Sequence, residues 1–166
     1  MNAPESSSTP DAAASATQTP ASAAASRREW HTSSDEETAA VGRSLGETLS
    51  PGAVIHLFGD LGAGKTVFVR GLAAGLGIDP DEVSSPTFTL IQEYRGQGRH
   101  PLFHVDLYRL AGAEVDDLGL DAYAAEGIVA IEWANRLPTS QPHAIVVRID
   151  DEGDDRRRIQ IDTASP

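Results

Sequence analysis

The run Gly59-Asp60-Leu61-Gly62-Ala63-Gly64-Lys65-Thr66 has the form G-x-x-x-x-G-K-[ST], and it leaves little freedom to the fold around it. Such a loop works only between a strand that delivers it and a helix that opens on it. Both are legible. Upstream, Ala53-Val54-Ile55-His56-Leu57-Phe58 is a mostly apolar run of strand length; downstream, Val67, Phe68, Val69, Leu72, Ala73 and Leu76 recur at helical spacing until Gly75 and Gly77 close the segment. Gly59, Gly62 and Gly64 permit backbone conformations closed to other residues, so that successive N–H groups can converge on phosphate oxygens at the positive end of the new helix. Lys65 is placed to reach the β- and γ-phosphates, and the Thr66 hydroxyl to join the shell of a magnesium ion that takes few protein ligands. The implied ligand class is a nucleoside triphosphate with Mg²⁺.

Of the 166 residues, those numbered 1–28 are mostly Ala, Ser, Thr and Pro and, beyond Met1, carry no large apolar side chain. Such a stretch cannot bury enough surface to offset its ordering entropy, and the expectation is a disordered tail followed by one compact domain over residues 29–166. The tail lacks the continuous apolar core of a signal peptide, and Arg27 and Arg28 alone do not make a transit peptide. No segment is long and apolar enough to cross a membrane, and there is no cysteine for disulfides or thiolate metal sites; a cytoplasmic protein is expected. The net charge of −12 argues against independent nucleic-acid binding through a broad basic face.

A helix is predicted from Asp35 to Leu49, capped by Ser33 or Ser34 with Glu36 or Glu37 closing a capping box. Beyond the phosphate-loop helix, a short turn is expected at Pro80 to Val83. The runs Thr87 to Tyr94 and Leu102 to Tyr108 read as an antiparallel hairpin around a glycine-bearing connection that includes Gly98 and Arg99. Short helices follow at Glu114 to Leu118 and Asp121 to Glu126, and Ile128-Val129-Ala130-Ile131 reads as a strand covered on both faces. A second hairpin, from Ala144 to Ile149 and from Arg157 to Ile161, is expected to turn at Glu152-Gly153. These elements predict an α/β fold: a three-layer domain similar to P-loop NTPases, with a mixed central sheet and antiparallel hairpin additions.

Two carboxylates compete for the second magnesium-linked role. Glu132 ends the apolar run from Ile128, at the carboxyl end of a buried strand, where open α/β sheets present groups to ligands. Asp106 shares a strand face with His104 at a spacing of two. Either can hold the ion or orient the attacking water, and periodicity does not decide between them.

Four blocks in series, Gly59 to Thr66, Ser85-Pro86-Thr87-Phe88-Thr89-Leu90, His104-Val105-Asp106-Leu107-Tyr108-Arg109-Leu110 and Ile131-Glu132-Trp133, resemble the bacterial TsaE (YjeE) ATPases across residues 32–162. The resemblance implies an ATP-hydrolysing subunit in the formation of N6-threonylcarbamoyladenosine at position 37 of tRNAs that read codons beginning with A. It implies action with the TsaB–TsaD pair, so that tRNA is met indirectly through the complex. Carried over by residue, it implies magnesium at Thr66 and Glu132, phosphate contacts at Gly62, Ala63, Gly64 and Lys65, and a site carboxylate at Asp106. Ser85, Pro86 and Thr87 resemble a switch-type loop near the γ-phosphate, and Trp133 resembles a residue that closes over the nucleotide or meets the partner. Thr32 and Ser33 align with the family's adenine-side segment, and Arg156 with a basic residue near the nucleotide, although a one-residue shift would exchange Arg156 with Arg157 or Arg158. Val67 stands where the family commonly has a second threonine. The rival readings are a nucleotide-bound structural subunit and a small-molecule kinase; for the kinase, no arginine-rich lid insertion is present.

Overall fold

The computed structural model describes residues 26–97, 100–110, 112–139 and 141–163. The expected tail over residues 1–25, and Gly98-Arg99 in the first hairpin connection, lie outside the described residues. In chain order the elements are β1 (Ser26–Thr32), α1 (Asp35–Gly46), β2 (Val54–Phe58), α2 (Lys65–Gly75), β3 (Ile91–Tyr94), β4 (Leu102–Asp106), α3 (Ala113–Asp116), α4 (Leu120–Glu126), β5 (Ile128–Glu132), β6 (Ile145–Gly153) and β7 (Arg156–Thr163). Single 3₁₀ turns occur at Pro80–Glu82 and Ala134–Arg136.

The strands form one mixed sheet in the order β1-β7-β6-β2-β5-β4-β3. Its centre is parallel, with β2 between β6 and β5 and β4 beside β5; the hairpins β3–β4 and β6–β7, and β1 against β7, are antiparallel additions. Side-chain alternation feeds two cores from the same strands. Ile55, Leu57, Ile128 and Ala130 pack toward α1 and α2 with Phe68, Val69 and Leu72. Val129, Ile131, Phe103 and Val105 point to the opposite face, where Val115 is buried and Leu118, Leu120 and Tyr123 cover them. This is why Ile128 to Ile131 has no polar position: β5 has no solvent face, and its residues are at most 3% exposed.

α1 lies on α2 at very close range. A Cβ on Gly71 would stand 1.9 Å from the Ala39 carbonyl oxygen, and one on Gly42 would stand 2.2 Å from that of Phe68. The helices can approach to this distance only because these positions lack side chains.

Three local expectations are corrected. The strand expected from Thr87 begins at Ile91 instead: Pro86 accepts from the N–H groups of Thr89 and Leu90, and Leu90 takes a left-handed φ of 65°, which closes a turn before the ladder starts. The second hairpin turns at Asp154-Asp155, both at positive φ, after a bulge between Asp151 and Gly153. The residues expected to belong wholly to the tail include Ser26, Arg27 and Arg28, which are the start of β1 and pair with Thr163, Asp162 and Ile161.

Candidate functional site

β2 delivers the glycine-rich loop to the carboxyl edge of the sheet, and α2 opens directly on Lys65. Gly62 and Gly64 have φ of 81° and 105°, in the left-handed region that a phosphate nest requires. Gly64 is the N-cap of α2 and supplies no side-chain cap, so the first amides of the helix remain available to an anion. Ala63 buries its methyl in the core and turns only backbone toward the loop. Lys65 closes the loop on itself. Its Nζ donates to the Gly59 and Asp60 carbonyls at 2.7 and 2.8 Å and lies 4.2 Å from the centre of the Trp133 ring. Burial pushes the Lys65 ammonium below its ordinary pKa, while Glu132, Asp106 and Asp60 oppose that shift.

A cleft of about 370 Å³ lies over the loop. Its lining joins Gly62, Gly64, Lys65, Thr66 and Val67 to Asp35, Thr87, Asp106, Glu132, Trp133 and Arg157. Asp106 and Glu132 are register partners at the ends of β4 and β5, and both are buried. Glu132 Oε1 accepts the Thr66 hydroxyl at 2.9 Å and the His104 Nε2–H at 2.8 Å. Asp106 Oδ2 accepts from Thr87 Oγ1 at 3.1 Å and Ser85 Oγ at 3.4 Å, and its Oδ1 accepts the Tyr108 backbone N–H at 2.8 Å. The two carboxylates thus have different attachments. Glu132 is tied to the phosphate loop, and Asp106 to the Ser85–Thr87 turn.

The donors Thr66, Glu132 and Asp106 are all oxygens, the set a hard cation prefers. Among the described residues no three His, Cys, Asp or Glu side chains converge as a metal cage.

Trp133 lines the cleft at a left-handed φ of 58°, a conformation that costs a bulky residue energy unless its surroundings enforce it. Its ring packs on Tyr108 with centroids 4.9 Å apart, and Lys65 caps it from the loop side. Gly59 borders a neighbouring cleft shared with Asp60, Trp133 and Asn135.

Neither Ser33 nor Arg156 is among the residues that line this cleft. Ser33 gives both its N–H and its hydroxyl to Glu37 Oε2 at 2.7 and 3.0 Å, just ahead of the N-cap Ser34, whose hydroxyl accepts the Glu37 N–H, and the cleft is lined on this segment by Asp35. Arg156 is exposed and turned to Asp154, whereas Arg157 lies in the cleft against Gly64. The Arg157 guanidinium donates to Asp35 at 2.8 Å and Thr38 at 3.3 Å, which ties β7 to the first turn of α1 beside the phosphate loop. The signal for Arg157 was present in the sequence. Ile159 and Ile161 follow it at a spacing of two, and both face the core, so alternation alone points Arg157 inward.

The mixed sheet with this loop at its parallel centre defines a P-loop-type α/β protein. Over residues 32–159 the chain matches the family model of Threonylcarbamoyl adenosine biosynthesis protein TsaE, and it belongs to the TsaE family. It is 45% identical over 132 residues to the tRNA threonylcarbamoyladenosine biosynthesis protein TsaE of Bacillus subtilis, covering 78% of this chain and 82% of that one. It is 55% identical over 108 residues to the TsaE of a Nostoc species, which covers 62% of this chain and 65% of that protein. The crystal structure of Bacillus subtilis YdiB is similar with a TM-score of 0.69 at 36% identity, covering 86% of this chain and 88% of that one. No helix among the described residues is long and apolar enough to cross a membrane.

Proposed function

We propose that this chain binds ATP with Mg²⁺ and hydrolyses it as a cytoplasmic subunit of the machinery that forms threonylcarbamoyladenosine in tRNA, acting with a TsaB–TsaD pair and meeting tRNA only through it. The observation that carries the reading is the meeting of Lys65, Thr66, Asp106 and Glu132 in one cleft over a glycine nest, in a chain of the TsaE family.

In this reading the loop amides and Lys65 grip the triphosphate, and Lys65 must exchange its bonds to Gly59 and Asp60 for phosphate oxygens. Thr66 and Glu132 would hold the magnesium ion, whose charge would offset the negative charge developing on the transferred phosphoryl group. Asp106 anchors the Ser85–Thr87 turn and places the Thr87 hydroxyl at the cleft, where it can orient a water for in-line attack. Arg157 adds a second cation beside Gly64.

Partner dependence has its own support. Arg109 is stacked on the exposed Phe88 ring, and Arg136 donates to the Leu110 carbonyl, so neither lines the cleft. Leu61 and Tyr108 line the cleft and Phe88 adjoins Thr87, and these three are the large apolar side chains left exposed among the described residues. An apolar rim of this kind suits a protein that completes the site. The test is phosphate release with and without TsaB–TsaD and tRNA, comparing wild type with Lys65→Ala and Asp106→Ala. Stimulation by the partners, lost in both variants, is expected; intact tRNA modification by Glu132→Gln would instead indicate a nucleotide-bound structural subunit.

A further inference from the structure

His104 takes no direct part in the mechanism above, yet it is fully buried in β4 between Leu102 and Asp106 on the face that looks toward α2. Its Nε2 lies 2.8 Å from Glu132 Oε1, and its Nδ1 is buried without a hydrogen-bond partner among the described residues. The Tyr94 ring packs near it, with centroids 6.4 Å apart. A position chosen for packing alone would be cheaper as an aliphatic side chain, because an imidazole here leaves one ring nitrogen unsatisfied. What the imidazole supplies in return is a single donor aimed at a carboxylate.

That donor has a geometric consequence. Glu132 Oε1 accepts twice, from His104 and from Thr66 Oγ1, while Oε2 has no hydrogen bond to a protein group among the described residues. With its proton directed at Glu132, the Thr66 oxygen keeps lone pairs to offer a cation. Losing the His104 donor would free the carboxylate to rotate and release the Thr66 proton from its acceptor.

We infer that His104 is a positioning residue of the nucleotide site, whose Nε2–H fixes the Glu132 carboxylate so that Thr66 and Glu132 Oε2 together present a preorganised pair of oxygens to the cation of the bound nucleotide. The inference rests on the magnesium-nucleotide reading above. It assigns His104 to an outer layer of hydrogen bonds of the kind that orients metal ligands in other sites.

The test measures Mn²⁺ affinity of the ADP-loaded full chain by electron paramagnetic resonance, and ADP affinity in the absence of divalent cation by calorimetry. His104→Leu is expected to weaken Mn²⁺ binding by about 10- to 100-fold and to leave cation-free ADP affinity unchanged. His104→Gln, whose side-chain amide can take the place of Nε2, restores most of the loss. His104→Asn, whose amide stops short of Glu132, behaves like leucine and serves in its place if that variant does not fold. The inference is overturned if all three variants bind Mn²⁺ as wild type does, if ADP affinity without cation falls in step with Mn²⁺ affinity, or if glutamine fares no better than leucine and asparagine. Wild-type protein that takes up no ADP would sink the nucleotide reading itself, and this inference with it.

Discussion

The two halves of the cleft are built in opposite ways. Its floor is one uninterrupted segment, Gly59 to Thr66, whose geometry is set by glycine torsions and by the junction of β2 with α2. Its wall takes Asp35 from α1, Thr87 from a turn, Asp106 from β4, Glu132 from β5 and Arg157 from β7. The floor's spacing is covalent and survives changes elsewhere. The wall exists only when sheet register, helix docking and turn closure are all correct. Floor variants should therefore lose ligand binding with little loss of stability, whereas wall and support variants should couple the two.

The largest expected effect is at the floor. Lys65→Ala removes the cation over the triphosphate and should reduce partner-stimulated phosphate release by at least about 100-fold, with a urea midpoint close to wild type. If that variant proved markedly destabilised, the floor would not be the self-contained unit described here.

The same division explains what could be read before the fold was known. A strand, a glycine loop and a helix contiguous in sequence announce themselves through local torsion and period, as did the apolar β5 with Glu132 at its end. β1 did not, because its sequence SRREWHT has no alternating apolar face; it is held at the sheet edge by pairing with β7 and by cross-strand contacts such as Arg27–Asp162. The sequence overstates the strand before Tyr94 because Thr87 and Thr89 suit a strand by propensity, while Pro86 and the Asp106 carboxylate draw the segment into a turn. The sequence leaves Arg156, Arg157 and Arg158 exchangeable for want of a hairpin register, which the Asp151/Gly153 bulge and the Asp154-Asp155 turn fix.

The next effect sharpens the comparison at the joint between α1 and α2. Gly71→Ala forces a methyl toward the Ala39 carbonyl, only 1.9 Å away, and backbone cannot yield as a flexible side chain can. The helices must separate, at a cost of about 1–3 kcal/mol in urea unfolding. Since α1 carries Asp35 and Thr38, the partners of Arg157, nucleotide affinity should fall as well. A stability loss with unchanged affinity would mean that the wall does not depend on helix docking.

A smaller effect separates neighbouring arginines. Arg157→Ala should weaken ATP binding by about 10-fold, the worth of one charge-assisted hydrogen bond, and Arg156→Ala should leave it unchanged. Calorimetric titration of both variants decides the matter, and the reverse order would mean that the hairpin is in another register in solution.

The smallest effect tests whether the floor is insulated from the sheet behind it. His56 lies on β2, three residues before the loop, 2% exposed, with Nε2 3.3 Å from Gln141 Oε1. Burial pushes its pKa below the ordinary 6.5, and the Gln141 bond only partly opposes this. The sign follows from proton counting. Between 6.5 and the depressed folded value, the unfolded chain binds a proton that the folded chain refuses, so stability falls as pH drops through that window, by at most about 1.4 kcal/mol per pH unit. Above 6.5 both states are neutral at this residue and it adds no slope. Urea midpoints of wild type and His56→Gln should therefore run parallel above that pH and diverge below it, with the variant losing less. Nucleotide affinity, measured where both proteins remain folded, should show no matching divergence, because His56 faces away from α2. A divergence would mean that β2 transmits a charge on one face of the sheet to the phosphate loop, and the floor would then depend on its surroundings as much as the wall does.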